Sequence, residues 1–214
     1  MEKNNHILIT GGSGLLGMEL QKYFPNCNAP DHRRLDITDL NSIHTFKGTY
    51  PFIDIVIHCA AYTKVERAET DRAECFNVNV IGTHAIAEAY HDAYFVYISS
   101  EYASNPVNFY SYTKLWGEEA VKKNCKNNLI IRTLFKANPF PYAQAFIDQY
   151  TYGDYVDVIA PMIVKEILFE TKGLINLGTG RKSIFELARR TRPDISGISV
   201  DDVKTVHLPR EAKL

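Results

Sequence analysis

The sequence predicts an α/β fold, a doubly wound parallel sheet with a small C-terminal lobe, on three observations. A glycine-rich turn, Thr10-Gly11-Gly12-Ser13-Gly14-Leu15-Leu16-Gly17, follows the apolar run Ile7-Leu8-Ile9 and opens an amphipathic stretch carrying Leu15, Leu16, Met18, Leu20, Tyr23 and Phe24. Ile53-Asp54-Ile55-Val56-Ile57-His58 is a β-branched run of the kind buried on both faces of a parallel sheet. Strand-like runs then alternate with helical spacings, the signature of βαβ units.

The turn carries the first chemical meaning. In a mononucleotide-binding (Rossmann) unit the first glycine allows the sharp turn, the second lets the backbone approach a pyrophosphate, and the third lets helix pack on strand. Glycines at 11, 14 and 17 suit those roles. The N–H groups and positive dipole of the helix opening near Gly14 then face a diphosphate. Thr10, Gly11, Ser13, Gly14, Leu15 and Gly17 are the expected cradle. Taken alone, such a turn also occurs as a purely structural device.

At 214 residues the chain suits one large α/β core with a small appendage. Hydrophobic residues at 45% and charged residues at 23% are ordinary for a globular protein. Lys plus Arg (24) against Asp plus Glu (25) leaves a net charge of −1, which gives no electrostatic case for nucleic acid or an anionic membrane. No apolar run has the length of a membrane span, and Met1 to His6 is polar and leads straight into a strand, so a cytoplasmic location is expected. Cys27, Cys59, Cys75 and Cys125 are scattered without CxxC spacing; reduced buried thiols are expected, with no metal site.

After a helix ending near Pro25, Asn26 to Ala29 is a short second strand. At the end of such a strand an acid holds ribose hydroxyls, whereas arginine accepts a 2′-phosphate. Pro30-Asp31-His32-Arg33-Arg34-Leu35-Asp36-Ile37 offers both, with Arg33 and Arg34 tilting the choice between NAD(H) and NADP(H) slightly towards NADP(H). Thr38 or Asp39 caps a helix through Leu40, Ile43 and Phe46. The strand at 53–58 ends in Cys59-Ala60-Ala61-Tyr62-Thr63, and small residues at that sheet edge leave room for a ligand. Asn79, in a helical stretch continuing to about Tyr90, is either a satisfied core amide or a polar support under the site.

Tyr94 to Ile98 is the next strand, stopping at Ser99-Ser100-Glu101-Tyr102, where hydroxyls are placed to meet a substrate carbonyl. Tyr110 and Lys114 are i and i+4 on the following helix and share a face. An ammonium near a phenol lowers its pKa, which general acid/base work requires. Alone, the pair reads as a surface tyrosine and a solvated lysine; beside the glycine turn and the serines it reads as a working pair.

Taken together these motifs resemble the extended short-chain dehydrogenase/reductase family. Thr10 to Gly17 is similar to its TGxxGxxG, and Asp36-Ile37-Thr38-Asp39 to its stretch near the adenine. His58 to Thr63 followed by Val65-Glu66-Arg67-Ala68-Glu69 resembles the AAYTxVDxAE segment of the dTDP-4-dehydrorhamnose reductases. Asn79 to Thr83, Ile98 to Tyr102, Tyr110 to Glu118 and Ile130 to Thr133 continue the likeness in order, over roughly residues 6 to 135.

The resemblance implies a dinucleotide-binding domain over 1–135 and a reduced substrate lobe over 136–214, packed on the same core. It implies Tyr110 as general acid/base, Lys114 as the residue that holds the nicotinamide ribose and depresses the tyrosine pKa, and Ser100 as hydrogen-bond donor to the substrate oxygen. Ala60, Ala61, Tyr62, Asn79 and Ser99 join the expected cofactor surroundings. The implied activity is NAD(P)H-dependent reduction of a nucleotide-activated 4-keto sugar, with homodimerisation common in the family. Two sister readings stay open: an epimerase or dehydratase, for which Glu101 beside Ser100 would be the extra acid, and a cofactor-binding regulatory subunit. The family's reductases carry a longer, VFDG-containing segment between serine and tyrosine than Tyr102 to Tyr110 allows, and a longer C-terminal part.

In the second part, Asn138-Pro139-Phe140-Pro141-Tyr142 is a loop and Ala143 to Tyr150 is predicted helical. Tyr155 to Ala160 resembles the family's VDDVA segment and leads a helix to about Phe169; Gly173 to Gly180 resembles its last strand. Ser183 with Glu186 reads as a capping box. The aromatics Phe135, Phe140, Tyr142, Phe146, Tyr150 and Tyr152 offer stacking surfaces, with packing the expected role for most.

Overall fold

The computed structural model describes residues 6–211; the polar stretch 1–5 lies outside the described residues. Five parallel strands form the central sheet in the order β1 (Ile7–Thr10), β2 (Ile55–His58), β3 (Tyr94–Ser100), β4 (Asn128–Thr133) and β9 (Gly173–Asn176). Side-chain alternation with period two sends each strand into two cores. Ile7, Ile9, Ile57, Val96, Ile98 and Ile131 pack with α1 (Leu15–Gln21) and α6 (Val156–Leu168), while Leu8, Val56, Phe95, Tyr97 and Ile130 pack with α2 (Leu40–Thr49), α4 (Thr83–Ala89) and α5 (Phe109–Asn124). Asp39 caps α2 by accepting from the Asn41 N–H at 2.9 Å.

The expected strand at Asn26 to Ala29 contracts to a single parallel bridge between Leu8 and Asn28. Pro25 and Pro30 bracket it and lack the N–H groups that would extend the ladder. The bridge uses the Ile7 carbonyl and the Ile9 N–H, the edge of β1 opposite β2. The chain therefore leaves β1 to one side and returns to the other, which opens a crevice at the carboxyl ends of β1 and β2.

Before α4, a short α3 (Arg72–Phe76) runs into one π-helical turn, Asn77–Gly82. The expected division after residue 135 falls inside this architecture, because α6 and β9 both belong to the main sheet layers. The lobe proper is built from short pairs: β5 (Phe135–Lys136) with β8 (Asp154–Tyr155), β6 (Gln144–Phe146) with β11 (Ser196–Ile198), and β7 (Tyr150–Thr151) with β10 (Lys182–Ser183). The helix predicted over 143–150 is thus the two strands β6 and β7. Their partners lie about fifty (β11) and about thirty (β10) residues away in sequence, so no local periodicity reveals them. Helix α7 (Ile184–Arg189) carries the predicted capping box of Ser183 and Glu186. Phe140, Ala145, Tyr155, Ile184, Leu187 and Ile195 form the lobe's own core. None of the four cysteines is in a disulfide, and no described helix is long and apolar enough to cross a membrane.

Candidate active site

A cleft of about 610 Å³ runs along the carboxyl edge of the sheet. Its floor begins at the glycine turn, passes Cys59, Ala60 and Ala61 at the end of β2 and Ser99 and Ser100 at the end of β3, and reaches Thr133 to Ala137 after β4. Tyr110 and Lys114 enter from α5, and Pro141 and Tyr142 from the lobe. Gly11 has φ of 68°, a left-handed conformation that suits glycine, and its carbonyl accepts from the Gly14 N–H at 2.9 Å. A Cβ on Gly17 would fall on the Gly11 carbonyl oxygen and 2.9 Å from the Gly12 Cα. Gly14 caps α1 with no side-chain hydrogen bond, so the first turn presents bare backbone to the cleft.

At the far end the cleft is lined by His32, Leu35, Asp36, Ile37 and Thr38. Burial works against the Asp36 charge, but the Thr38 N–H and hydroxyl, at 2.9 and 2.7 Å, outweigh it and hold the carboxyl below its ordinary range. Arg33, expected here, is exposed and does not line the cleft. Arg34 is engaged with the Tyr50 hydroxyl at 3.1 Å. The turn at 31–35 presents His32 instead, 3.6 Å from Asp36.

Three further expected residues act from behind the wall. Thr10 is buried, and its hydroxyl takes the Ala60 N–H at 3.3 Å and bonds His58 Nδ1 at 2.8 Å, while His58 Nε2 meets the Thr83 hydroxyl at 3.1 Å. Asn79 is fully buried and clamps the Tyr62 backbone, accepting from its N–H at 2.8 Å and donating to its carbonyl at 3.2 Å; it also donates to the Thr113 hydroxyl at 3.0 Å. With its amide so occupied, Asn79 is a core amide and does not contact the cleft. Tyr62 gives its own hydroxyl to Asp71 at 2.9 Å and does not line the cleft, unlike its neighbours Ala60, Ala61 and Thr63.

Burial, with help from the Lys114 charge, holds His58 neutral down to about pH 3 against an ordinary 6.5. An unfolded histidine takes up a proton below 6.5 while the folded one does not, so stability is full above that value and is lost as pH falls towards 3. Urea midpoints are expected to reveal a loss of about 2 kcal/mol from His58 between pH 6.5 and 5. The His58→Gln variant should have a flatter profile over the same interval.

Helix α5 begins at a capping box in which Asn108 accepts from the Ser111 N–H at 2.9 Å and Ser111 accepts from the Asn108 N–H at 3.1 Å. The Asn108 amide also donates to the His207 carbonyl at 2.9 Å, tying the short 102–110 segment to the C-terminal stretch. The helix then delivers Tyr110 and Lys114 to the cleft, both buried. Beneath them Glu118, fully buried, accepts from the Ser99 hydroxyl at 2.6 Å and from both faces of the Arg132 fork at 2.8 and 2.7 Å. This bidentate pair pins α5 to β4.

The electrostatics differ from the expected depression of the tyrosine. Burial pushes the Tyr110 phenol up to about 12, with its hydrogen bond to Ser100 working against that shift. Burial likewise lowers Lys114 to about 8, opposed by Glu118. The Lys114 ammonium donates to the Ile98 carbonyl at 2.9 Å and lies 4.3 Å over the Tyr97 ring, so its charge is spent there. Both members of the pair are desolvated, and Tyr110 holds its proton at neutral pH.

Glu101, the acid a dehydratase reading needs, is buried and accepts from the Thr151 hydroxyl at 2.7 Å and the Tyr152 N–H at 3.1 Å. It ties the lobe to the core and does not line the cleft. Lys136 and Thr133 do line it and carry no sequence signal of a site, whereas Tyr142, one of the aromatics offering a stacking surface, lines it as well.

The fold and part of the sequence have recognised counterparts. A crystal structure of dTDP-4-dehydrorhamnose reductase from Bacillus anthracis in complex with NADP superposes with a TM-score of 0.85 at 26% identity, covering 96% of this chain and 88% of that one. The dTDP-4-dehydrorhamnose reductase of Mycolicibacterium smegmatis is 32% identical over 151 residues, 59% of this chain and 44% of the relative. The bovine (Bos taurus) methionine adenosyltransferase 2 subunit beta is 31% identical over 156 residues, 60% of this chain and 46% of the relative. The chain thus spans about half the length of the curated relatives it matches. Residues 5–161, well over half of the chain, match the RmlD substrate binding domain, and the chain belongs to that family.

Proposed function

We propose that this chain is an NAD(P)H-dependent reductase of a nucleotide-activated 4-keto sugar. The observation that carries the reading is the single cleft joining the glycine turn to Ser100, Tyr110 and Lys114. The turn suits a dinucleotide: glycines at 11, 14 and 17 let its backbone close tightly on itself and on Ala60, and the first turn of α1, without a side-chain cap, presents its N–H groups to the cleft where a diphosphate would sit. Asp36, its carboxylate fixed by Thr38, would hold ribose hydroxyls, and Lys114 would hold the nicotinamide ribose. Since neither Arg33 nor Arg34 reaches the cleft, the reading covers NADH and NADPH alike. The bound dinucleotide would supply the hydride.

The residues supply the proton. Ser100 holds the substrate carbonyl oxygen, and Tyr110, hydrogen-bonded to Ser100 and protonated at neutral pH, donates its phenolic proton as negative charge develops on that oxygen. The raised phenol pKa favours the reductive direction, in which the acid form is needed.

Oxidation of NADPH or NADH by the purified protein, offered dTDP-4-keto-6-deoxy sugars and related nucleotide 4-keto sugars, tests the reading. No turnover with any of them would overturn it. In that case co-purification with a larger enzyme would favour the regulatory-subunit reading, which the likeness to the bovine methionine adenosyltransferase 2 subunit beta supports.

A further inference from the structure

Resting on the reductase reading, we propose that Lys136 is the oxyanion-binding residue of the cleft's substrate end, taking a phosphate or carboxylate oxygen of the nucleotide sugar. Lys136 closes β5, three residues beyond Thr133, which stands in register with Ser100. The chain path thus carries it to the reacting end of the cleft, away from the glycine turn.

Its ammonium makes no hydrogen bond or ion pair among the described residues and sits 5.2 Å over the ring of Tyr142, a cleft-lining and half-exposed tyrosine. The neighbouring acid, Glu101, acts on it at longer range and has its oxygens committed to Thr151 and Tyr152. Lys136 is partly buried, whereas the two buried lysines, Lys114 and Lys182, are satisfied. Lys114 donates to the Ile98 carbonyl, and Lys182 donates to the Gly153 carbonyl at 2.7 Å and stands 3.7 Å from Asp154. Desolvated ammonium groups are stable when paired and costly when not. Burial accordingly pulls the Lys136 pKa below its ordinary value. An oxyanion entering the cleft would supply the missing counter-charge, with Tyr142 forming one wall.

Calorimetric titration of the wild type, Lys136→Met and Lys136→Arg with dTDP, UDP-glucose and UDP-glucuronic acid, and with NADPH in parallel, tests the assignment. Lys136→Met is expected to weaken nucleotide binding by about tenfold or more, Lys136→Arg to retain most of it, and NADPH affinity to stay unchanged in both. A loss with dTDP identifies a phosphate oxygen; a loss confined to UDP-glucuronic acid identifies a carboxylate on the sugar; either supports the assignment. Equal affinities of wild type and Lys136→Met for all three nucleotides overturn it, as does a loss confined to NADPH. Wild-type protein that binds NADPH and none of the three nucleotides overturns the reductase reading and this assignment with it.

Discussion

The Tyr110→Phe variant is expected to lose about 100- to 10,000-fold in kcat, the range that a positioned proton donor contributes, while binding NADPH as the wild type does. The substitution removes one oxygen from a buried ring. Ser100 keeps its contact with the Tyr102 N–H at 3.2 Å, and the ring keeps its packing against Ala68 and Cys75. Stability should therefore change by no more than about 1 kcal/mol, which separates a chemical defect from a folding one. The same account fixes a pH dependence. Lys114 loses its charge near pH 8 in the free protein, so kcat/KM should fall above that value. An unchanged kcat in Tyr110→Phe would remove the tyrosine from the chemistry.

Gly17→Ala is the second large effect. The added methyl meets the Gly11 carbonyl oxygen and the Gly12 backbone, neither of which can swing aside as a side chain would, so α1 must move off the turn. Overpacking of that kind costs about 2–3 kcal/mol. Displacing the helix start should weaken NADPH by about 100-fold, equivalent to about 3 kcal/mol. Gly48→Ala is the control: a Cβ there meets nothing within 4 Å, near the end of α2. Replacing a helical glycine in open space should raise stability by up to about 1 kcal/mol. Fluorescence titration with NADPH and urea midpoints check both variants.

The contrast between these glycines shows where the sequence is informative. The turn, the capping box at Ser183 and Glu186, and the shared face of Tyr110 and Lys114 are local: backbone conformation and helical spacing decide them within a few residues. The lobe's strand pairs depend on partners far along the chain, so the local pattern over residues 143–150 predicts one helix where the fold has the strands β6 and β7. Residue type alone also misplaced Arg33, because the 31–35 turn brings His32 to the cleft. Asn79 and Glu101 have the chemistry of site residues, yet the structure commits both to holding backbone and lobe in place. The sign of the Tyr110 shift followed the same logic. Spacing places the lysine nearby, but burial of both groups and the Ile98 carbonyl decide what its charge does.

The central claim is that one cleft carries a dinucleotide from the glycine turn to the Ser100, Tyr110 and Lys114 cluster, and a crystal structure of the protein with NADPH tests it most directly. The account predicts the diphosphate on the Gly11 to Gly17 turn and the nicotinamide beside Tyr110 and Lys114. A dinucleotide absent from the cleft at saturating NADPH, or bound with its nicotinamide remote from Tyr110, would contradict it.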